Sequence, residues 1–157
     1  MATYCAEIKW ERNGAPFQQS DYSRVHRWLF DGGDVIKATA SLHIVPEPHA
    51  IPNAVDPEEA FIASISSCHM LWFLAIASRK GFVVDSYSDC AEGVMEKNEK
   101  GELAITNVDL HPVVSYSPEK VPDTESDQKM HQEAHQKCFI ANSVKSEIRI
   151  YSKIEVS

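Results

Sequence analysis

The chain has 157 residues, 43% of them hydrophobic and 24% charged, which predicts a single globular domain over residues 1–157 with its own core. The net charge of −8 argues against a nucleic-acid partner and against electrostatic docking to an anionic membrane, since both need a basic face. The sequence does not open with a basic segment followed by an apolar one. We therefore expect no signal peptide, a cytoplasmic location and four cysteines kept in a reducing compartment.

Short strands are predicted in the N-terminal part of the chain. Residues 3–10 alternate as a strand does, and Asn13-Gly14 then marks a turn. Residues 25–30 lead into the turn Asp31-Gly32-Gly33, and residues 35–42 form the return strand. Three prolines between residues 46 and 52 predict a loop, because proline cannot continue a ladder of hydrogen bonds.

A long helix is predicted over about residues 57–80. Asp56 is a natural N-cap, Pro57 suits the first helical position, and Gly81 is a good C-terminal stop. Apolar residues occupy most of the circumference, so we expect a buried central helix. Three serines and His69 interrupt its apolar segment, which argues against a membrane span. One small sheet cannot cover every side of such a helix, and we therefore expect a homodimer.

The C-terminal part alternates between strands and one more helix. Strands are predicted over residues 82–95, 103–116 and 144–156, and a helix begins near Asp123 or Thr124 and ends at about Cys138. The order of elements favours an α+β fold with an antiparallel sheet over a repeated βαβ fold.

Two cysteines lie seventy positions apart, Cys68 in the first helix and Cys138 in the second. A cysteine on a buried helix is most often a small apolar core residue. If the fold brings the two thiols together, they form a thiol–disulfide couple, which in a reducing compartment is usually catalytic. Cys5 and Cys90 lie in strand-like segments without a surrounding motif, and we expect them to be structural.

Three segments together resemble the OsmC/Ohr family of thiol-dependent hydroperoxide reductases. They are Tyr22-Ser23-Arg24-Val25-His26 with Phe30-Asp31-Gly32-Gly33, Asp56-Pro57-Glu58-Glu59-Ala60 leading to Ser66-Ser67-Cys68-His69, and the segment 134–143 around Cys138. The first of these resembles the OsmC-like branch rather than the Ohr branch. The resemblance covers nearly the whole chain and implies an OsmC-like α+β fold, with an intertwined homodimer and two active sites at its interface.

The resemblance also implies a role for each site residue. Cys68 is the peroxidatic thiolate, Cys138 the resolving thiol, and Glu58 the acidic residue of the family. Arg24 is the choice for the active-site arginine, and Arg27 is the alternative. The implied activity is reduction of organic hydroperoxides in oxidative-stress defence, with hydrogen peroxide left open as a second substrate. No cofactor is implied, and an external dithiol, such as a lipoylated protein, is the expected reductant.

The chemistry of these residue types fits the implied roles. A free thiol has a pKa near ~8.5, so a thiolate nucleophile needs a nearby cation, which Arg24 can supply while Glu58 orients the guanidinium by a bidentate pair. Ten residues of straight helix separate Glu58 from Cys68 by about 15 Å along the axis. Because one side chain cannot span this distance, we expect Glu58 and Arg24 to act on the Cys68 of the other subunit.

Simpler explanations exist for most of these residues. Glu58 stabilises the positive end of a helix dipole without any further role, and His26 and His69 are expected to pack or form hydrogen bonds. Four apolar neighbours of Cys68 indicate a pocket for organic hydroperoxides, although any buried helix needs such residues: Phe61, Ile65, Met70 and Trp72. The alternative function is a non-catalytic small-molecule or metal-binding protein of the same fold. Three ligands of its zinc site would share one face of the second helix, namely His131, His135 and Cys138. Cys68 of the first helix could supply the fourth.

Overall fold

The computed structural model describes residues 1–157, which divide into two compact units, residues 1–60 and 61–157. The first unit contains an antiparallel sheet of order β1-β2-β3, with β1 at Ala6–Lys9, β2 at His26–Phe30 and β3 at Val35–Ala38. The turn between β2 and β3 lies at the predicted glycine pair. Gly33 has a φ of 92°, a conformation that favours glycine.

The first helix, α1, spans Pro57–Arg79, as the capping residues predict. The backbone N–H of Glu59 donates to Asp56 Oδ1 at 2.8 Å, and the N–H of Asp56 donates to Glu59 Oε2 at 3.2 Å. This reciprocal pair is a capping box, which satisfies two of the free N–H groups at a helix start. At the other end Gly81 has a φ of 75° and its N–H bonds the Ser78 carbonyl, so the helix stops there.

Only one side of α1 is buried within the chain. Its buried residues are Ile65, His69, Phe73, Ile76 and Ala77, whereas Leu71 is 62% exposed. The single chain therefore covers one face of α1 only, and the homodimer expected from the apolar circumference of this helix stays a prediction. By length and mean hydropathy, 1.8, α1 also meets the criterion for a membrane span, which the core helices of soluble proteins meet as well.

Each of the three strands predicted in the second unit is bent into two. The halves are β4 and β5 (Val84–Asp89, Glu92–Lys97), β6 and β7 (Leu103–Leu110, Pro112–Tyr116), and β8 and β9 (Glu147–Ile150, Lys153–Val156). The two halves join different sheets, one of order β4-β7-β9 and one of order β5-β6-β8.

Both sheets of the second unit are mixed rather than antiparallel as predicted. β4 pairs antiparallel with β7 and β5 with β6, but β8 runs parallel to β6 and β9 parallel to β7. Parallel neighbours need a crossover connection, and the second helix supplies it between β7 and β8.

The bends lie beside one another and are held by specific contacts. The backbone N–H of His111 donates to Asp89 Oδ1 at 2.7 Å, and the N–H of Tyr151 donates to the Leu110 carbonyl at 2.8 Å. The rings of His111 and Tyr151 stack with centroids 5.3 Å apart. These contacts fix the points at which each strand leaves one sheet for the other.

The second helix, α2, spans Thr124–Lys137, and its N-cap Asp123 accepts the Ser126 N–H at 2.7 Å. Cys138 follows as the C-cap with an extended backbone, so it lies at the end of the helix rather than within it as predicted. The main core of the unit packs α1, α2 and β7 together. Its fully buried members are Phe73, Ile76, Ala77, Val114, Tyr116, Met130 and Ala134.

Candidate active site

The fold brings the two predicted redox cysteines together. Cys138 is 1% exposed, and Cys68, on the middle of α1, is half-buried. Both are free thiols. Burial raises the pKa of Cys138 to about 11, and hydrogen bonding to Cys68 adds to the effect. The pair therefore combines a partly accessible thiol with a protected neighbour that remains protonated at neutral pH.

The segment after α2 shapes the surroundings of Cys138. The backbone N–H of Ala141 donates to Cys138 Sγ at 3.3 Å, and this contact favours the thiolate, opposing the effect of burial. Phe139 is 67% exposed and meets the Trp72 ring edge-on, with centroids 5.5 Å apart. An exposed aromatic side chain therefore lies directly beside the protected thiol. Ile65, predicted to line a pocket, is instead fully buried against Val108 and Leu110.

A buried pair of histidines lies in the same unit. His69 is adjacent in sequence to Cys68, and its Nε2 lies 2.9 Å from Nδ1 of His131 on α2. The two rings are parallel, and the His131 ring stacks on Phe73 with centroids 4.0 Å apart. The pKa of each imidazole is lowered to about 4, chiefly by burial. For His69 the neighbouring His131 and His135 contribute to this lowering, and Asp89 opposes it. Both rings are therefore neutral at pH 7.

Asp127 extends this polar cluster towards the sheet of order β4-β7-β9. It is 2% exposed and accepts the Tyr116 hydroxyl at 2.8 Å and the Ser152 hydroxyl at 2.9 Å. Its Oδ2 is 3.7 Å from His131 Nε2, which is buried and has no hydrogen-bond partner. Burial, followed by the hydrogen bond and charge of Asp127, raises the pKa of Tyr116 above its usual range.

The zinc-site alternative is not supported by this arrangement. His131 uses Nδ1 to bond His69, and no group of three or more His, Cys, Asp or Glu side chains is arranged to hold a metal ion. The prediction that His69 forms hydrogen bonds is confirmed, but its partner was not predicted. The only signal in the sequence was the i,i+4 spacing of Asp127, His131 and His135, which places them on one face of a helix.

Arg24 and Glu58 both belong to the first unit and do not form an ion pair with each other. The guanidinium of Arg24 donates from Nη1 to the carbonyls of Ser20, at 2.8 Å, and Tyr22. Oε2 of Glu58 is buried and without a hydrogen-bond partner. Arg27, the alternative arginine, is exposed on β2 opposite Lys9 and Lys37. Arg24 is thus the half-buried, anchored arginine of the two.

Cys5 and Cys90 are both exposed, so neither is a core residue. The two thiols that the fold brings together are therefore the two singled out by the sequence.

Comparison with known proteins agrees with this fold. The sequence model of the OsmC-like protein family matches residues 50–153. An OsmC-like protein of unknown function from Vibrio cholerae is 46% identical over 98% of this chain and 99% of its own, with a TM-score of 0.93. The chain therefore belongs to the OsmC-like protein family. A search of curated proteins found no significant match.

More distant structures share the fold. An organic hydroperoxide resistance protein from Elizabethkingia anophelis is 17% identical, with a TM-score of 0.71 over 100% of this chain and 98% of its own. A second such protein, from Bacillus subtilis, is 16% identical, with a TM-score of 0.60 over 98% of each chain. At this level of identity the similarity extends to the α+β fold alone.

Proposed function

We propose that the protein is a thiol-dependent peroxidase that reduces organic hydroperoxides, with Cys68 as the attacking thiolate and Cys138 as the resolving thiol. The observation that carries the proposal is the contact between the partly exposed thiol of Cys68 on α1 and the buried, protonated thiol of Cys138 at the end of α2. A buried core pair would not need one accessible member. Family membership supports the proposal, which includes a cytoplasmic role in oxidative-stress defence.

The proposed cycle has three steps. The Cys68 thiolate attacks the O–O bond of a hydroperoxide, which gives a sulfenic acid on Cys68 and an alkoxide that takes a proton to become the alcohol. Cys138 then attacks the sulfenic sulfur, a disulfide forms and water leaves. An external dithiol, such as a lipoylated protein, reduces the disulfide by thiol exchange and is itself oxidised to a disulfide. The sum is hydroperoxide plus dithiol giving alcohol, water and disulfide.

We propose that Arg24 and Glu58 complete the site from a second copy of the chain. About 15 Å of helix axis separates Glu58 from Cys68, and the buried Oε2 of Glu58 lacks a hydrogen-bond partner in the single chain. Arg24 keeps two guanidinium nitrogens free of protein bonds, so it can bind both Glu58 and a thiolate.

The exposed face of α1 supports a homodimer. Between the exposed charges of Glu59 and Arg79 at its two ends, this face consists of small and apolar residues: Ala63, Ser64, Ser67, Leu71, Ala75 and Ser78. Such a face allows a second helix to approach closely, and it leaves apolar surface in water if nothing covers it.

Thiol counting after one equivalent of cumene hydroperoxide tests the redox roles. The reduced wild type is expected to lose two of its four thiols. Cys138→Ser is expected to lose one and to give a dimedone adduct, and Cys68→Ser none. The double variant Cys5→Ser, Cys90→Ser is the matched control and should still lose two. No thiol loss in the wild type would contradict the proposal and would leave the non-catalytic binding protein as the better account.

Mixing inactive variants tests the shared site. Arg24→Ala and Cys68→Ser chains are each expected to be inactive alone. After unfolding and refolding together, hybrid dimers would contain one intact site, with Cys68 from one chain and Arg24 from the other. Recovered turnover supports a site built by two copies. A mixture as inactive as its components, with hybrids shown by mass spectrometry, would place Arg24 on its own chain's thiol or outside the site.

A further inference from the structure

Three cations form a row across the sheet of the first unit. Lys9 on β1 lies directly opposite Arg27 on β2, and Arg27 lies directly opposite Lys37 on β3. Residues that are directly opposite point to the same side of a sheet, with Cα atoms about 4.5 to 5.5 Å apart. All three side chains are exposed. These three residues are called the cationic row below.

The chain itself compensates little of the charge of the cationic row. Like charges directly opposite each other destabilise a sheet, and acidic residues outnumber basic ones in this chain by 23 to 15. Arg27 and Lys37 nevertheless form no ion pair. Lys9 has a single carboxylate beside it, that of Glu7 on its own strand at 3.2 Å. An acidic protein therefore keeps a concentrated positive charge on one face of this sheet.

A cavity lies over the cationic row. Its volume is about 360 Å³, and it is lined by the whole row together with Glu11, Asn13, Val25 and His26. A volume of several hundred Å³ is typical of small-molecule sites. Arg24, Glu58 and the four cysteines do not line it, so the cavity uses none of the groups that take part in the proposed redox cycle.

The charged groups of the lining favour an anion with more than one negative charge. Three cations and the single carboxylate of Glu11 leave an excess of two positive charges, to which His26 can only add. Arg27, at the centre of the row, offers a planar fork of N–H donors, and the lysine on each side offers a compact charge. A phosphate group matches this set, because it carries up to two negative charges and has three acceptor oxygens.

We propose that the cationic row binds the phosphate group of a small phosphomonoester, whose organic part occupies the remaining volume of the cavity. A carboxylate or a sulfate ester carries one negative charge and would leave part of the positive charge uncompensated. The inference goes beyond the proposed peroxidase and does not rest on it. Binding is measured on the reduced protein without peroxide, so either proposal can fail alone.

Titrations of the full chain with two esters of similar shape test the proposal. At about pH 8 ethyl phosphate is a dianion, because its second pKa is about 6, whereas ethyl sulfate carries one charge. Calorimetry and ligand-observed NMR in about 0.15 M NaCl, which screens diffuse attraction, give the affinities. Ethyl phosphate is expected to bind saturably, and ethyl sulfate at least about tenfold more weakly.

Three results would overturn the proposal. They are equal affinity for the two esters, no saturable binding of ethyl phosphate, and tighter binding of a hexaglutamate peptide than of ethyl phosphate. The last result would assign the cationic row to an acidic protein partner instead of a small phosphomonoester.

Two variants of equal charge separate a site from an effect of net charge. Arg27→Gln is expected to weaken ethyl phosphate binding about tenfold, whereas Lys145→Gln, at an exposed position of the second unit, should not change it. Arg27→Gln removes like-charge contacts from the sheet, so it should stay folded, which circular dichroism checks. Wild-type affinity in Arg27→Gln, or the same weakening in both variants, would contradict the assigned site.

A third variant is expected to act in the opposite direction. Glu11→Gln removes the carboxylate from the lining and should tighten ethyl phosphate binding about threefold, because the repulsion between two anions is lost. This expectation holds whether or not Arg27→Gln folds. Unchanged or weaker binding in Glu11→Gln would show that the phosphate does not lie in this cavity.

Discussion

Nε2 of His69 and Nδ1 of His131 lie 2.9 Å apart in the core between α1 and α2, and both rings are neutral at pH 7. One nitrogen donates and the other accepts, so the pair forms a buried hydrogen bond without a buried charge. This avoids the large cost of placing an unpaired ion in an apolar interior. It also makes the packing of the two cysteine-bearing helices sensitive to acid.

The pH dependence of stability should follow from this pair. Because burial lowers both pKa values from 6.5 to about 4, the unfolded chain takes up protons below pH 6.5 while the folded chain does not. Stability is expected to be full above pH 6.5 and to fall as the pH drops towards 4, by up to about 3 kcal/mol per histidine. Urea unfolding between pH 7.5 and 4.5 measures the slope.

A matched pair of variants isolates the histidine effect. His131→Gln keeps a hydrogen-bonding side chain but does not titrate, so its free energy of unfolding should depend less on pH over this range. His43→Gln, at an exposed position, should keep the wild-type slope. A His131→Gln slope equal to that of wild type would show that the pair does not control acid sensitivity.

Replacement of Asp127 should be strongly destabilising. Asp127→Ala leaves the hydroxyl of Tyr116, which is fully buried, without its acceptor, and also removes the acceptor of Ser152. The expected loss is about 2 to 4 kcal/mol in the free energy of unfolding. Glu125→Ala, which removes an exposed pair with Lys129 on the same helix, should cost less than about 1 kcal/mol. Similar losses for the two variants would contradict the role given to Asp127.

Disulfide formation should accelerate with pH. If Cys138 attacks the Cys68 sulfenic acid as a thiolate, its pKa of about 11 leaves it mostly protonated at neutral pH. The rate is then expected to rise about tenfold per pH unit between pH 7 and 9. Quenched-flow trapping of the sulfenic acid with dimedone, followed by mass spectrometry, gives this rate. The lifetime of the sulfenic acid in Cys138→Ser should lack this dependence, and a flat profile in wild type would argue against Cys138 as the resolving thiol.

A side chain at Gly93 on β5 is predicted to clash with Ile62. A Cβ atom there would lie 2.5 Å from Cδ1 and 2.9 Å from Cγ1 of Ile62 on α1. Gly93→Ala should therefore destabilise the fold by about 1 to 3 kcal/mol. In the double variant with Ile62→Ala the clash is absent, so the two costs should be less than additive by about 1 kcal/mol or more. Additive costs would show that another contact limits this position.

The strand predictions failed where the chain changes sheets. Residues 82–95, 103–116 and 144–156 each have the continuous pattern of one strand, yet each bends and contributes to two sheets. The bends are fixed by contacts between distant residues, such as the His111 N–H with Asp89 and the ring of His111 with Tyr151. Alternation reports which residues face a core, and it does not report where a strand leaves its neighbour.

The sequence alone determined the features that depend on a few adjacent residues. The limits of α1 follow from Asp56, Pro57 and Gly81, the first hairpin from its glycine turn, and the candidate thiols from the segments around Cys68 and Cys138. Helix capping and turn formation depend on a few adjacent residues, so both can be recognised in the sequence without knowledge of the tertiary structure.

Tertiary structure alone decided which distant groups meet. His69 and His131 are 62 residues apart and become partners because α1 and α2 pack in one core. The same packing brings Cys68 to Cys138, leaves Cys68 partly accessible, and buries Cys138, whose pKa is raised as a result. A pKa depends on desolvation and on neighbouring groups, and both are properties of the packed core rather than of the local sequence.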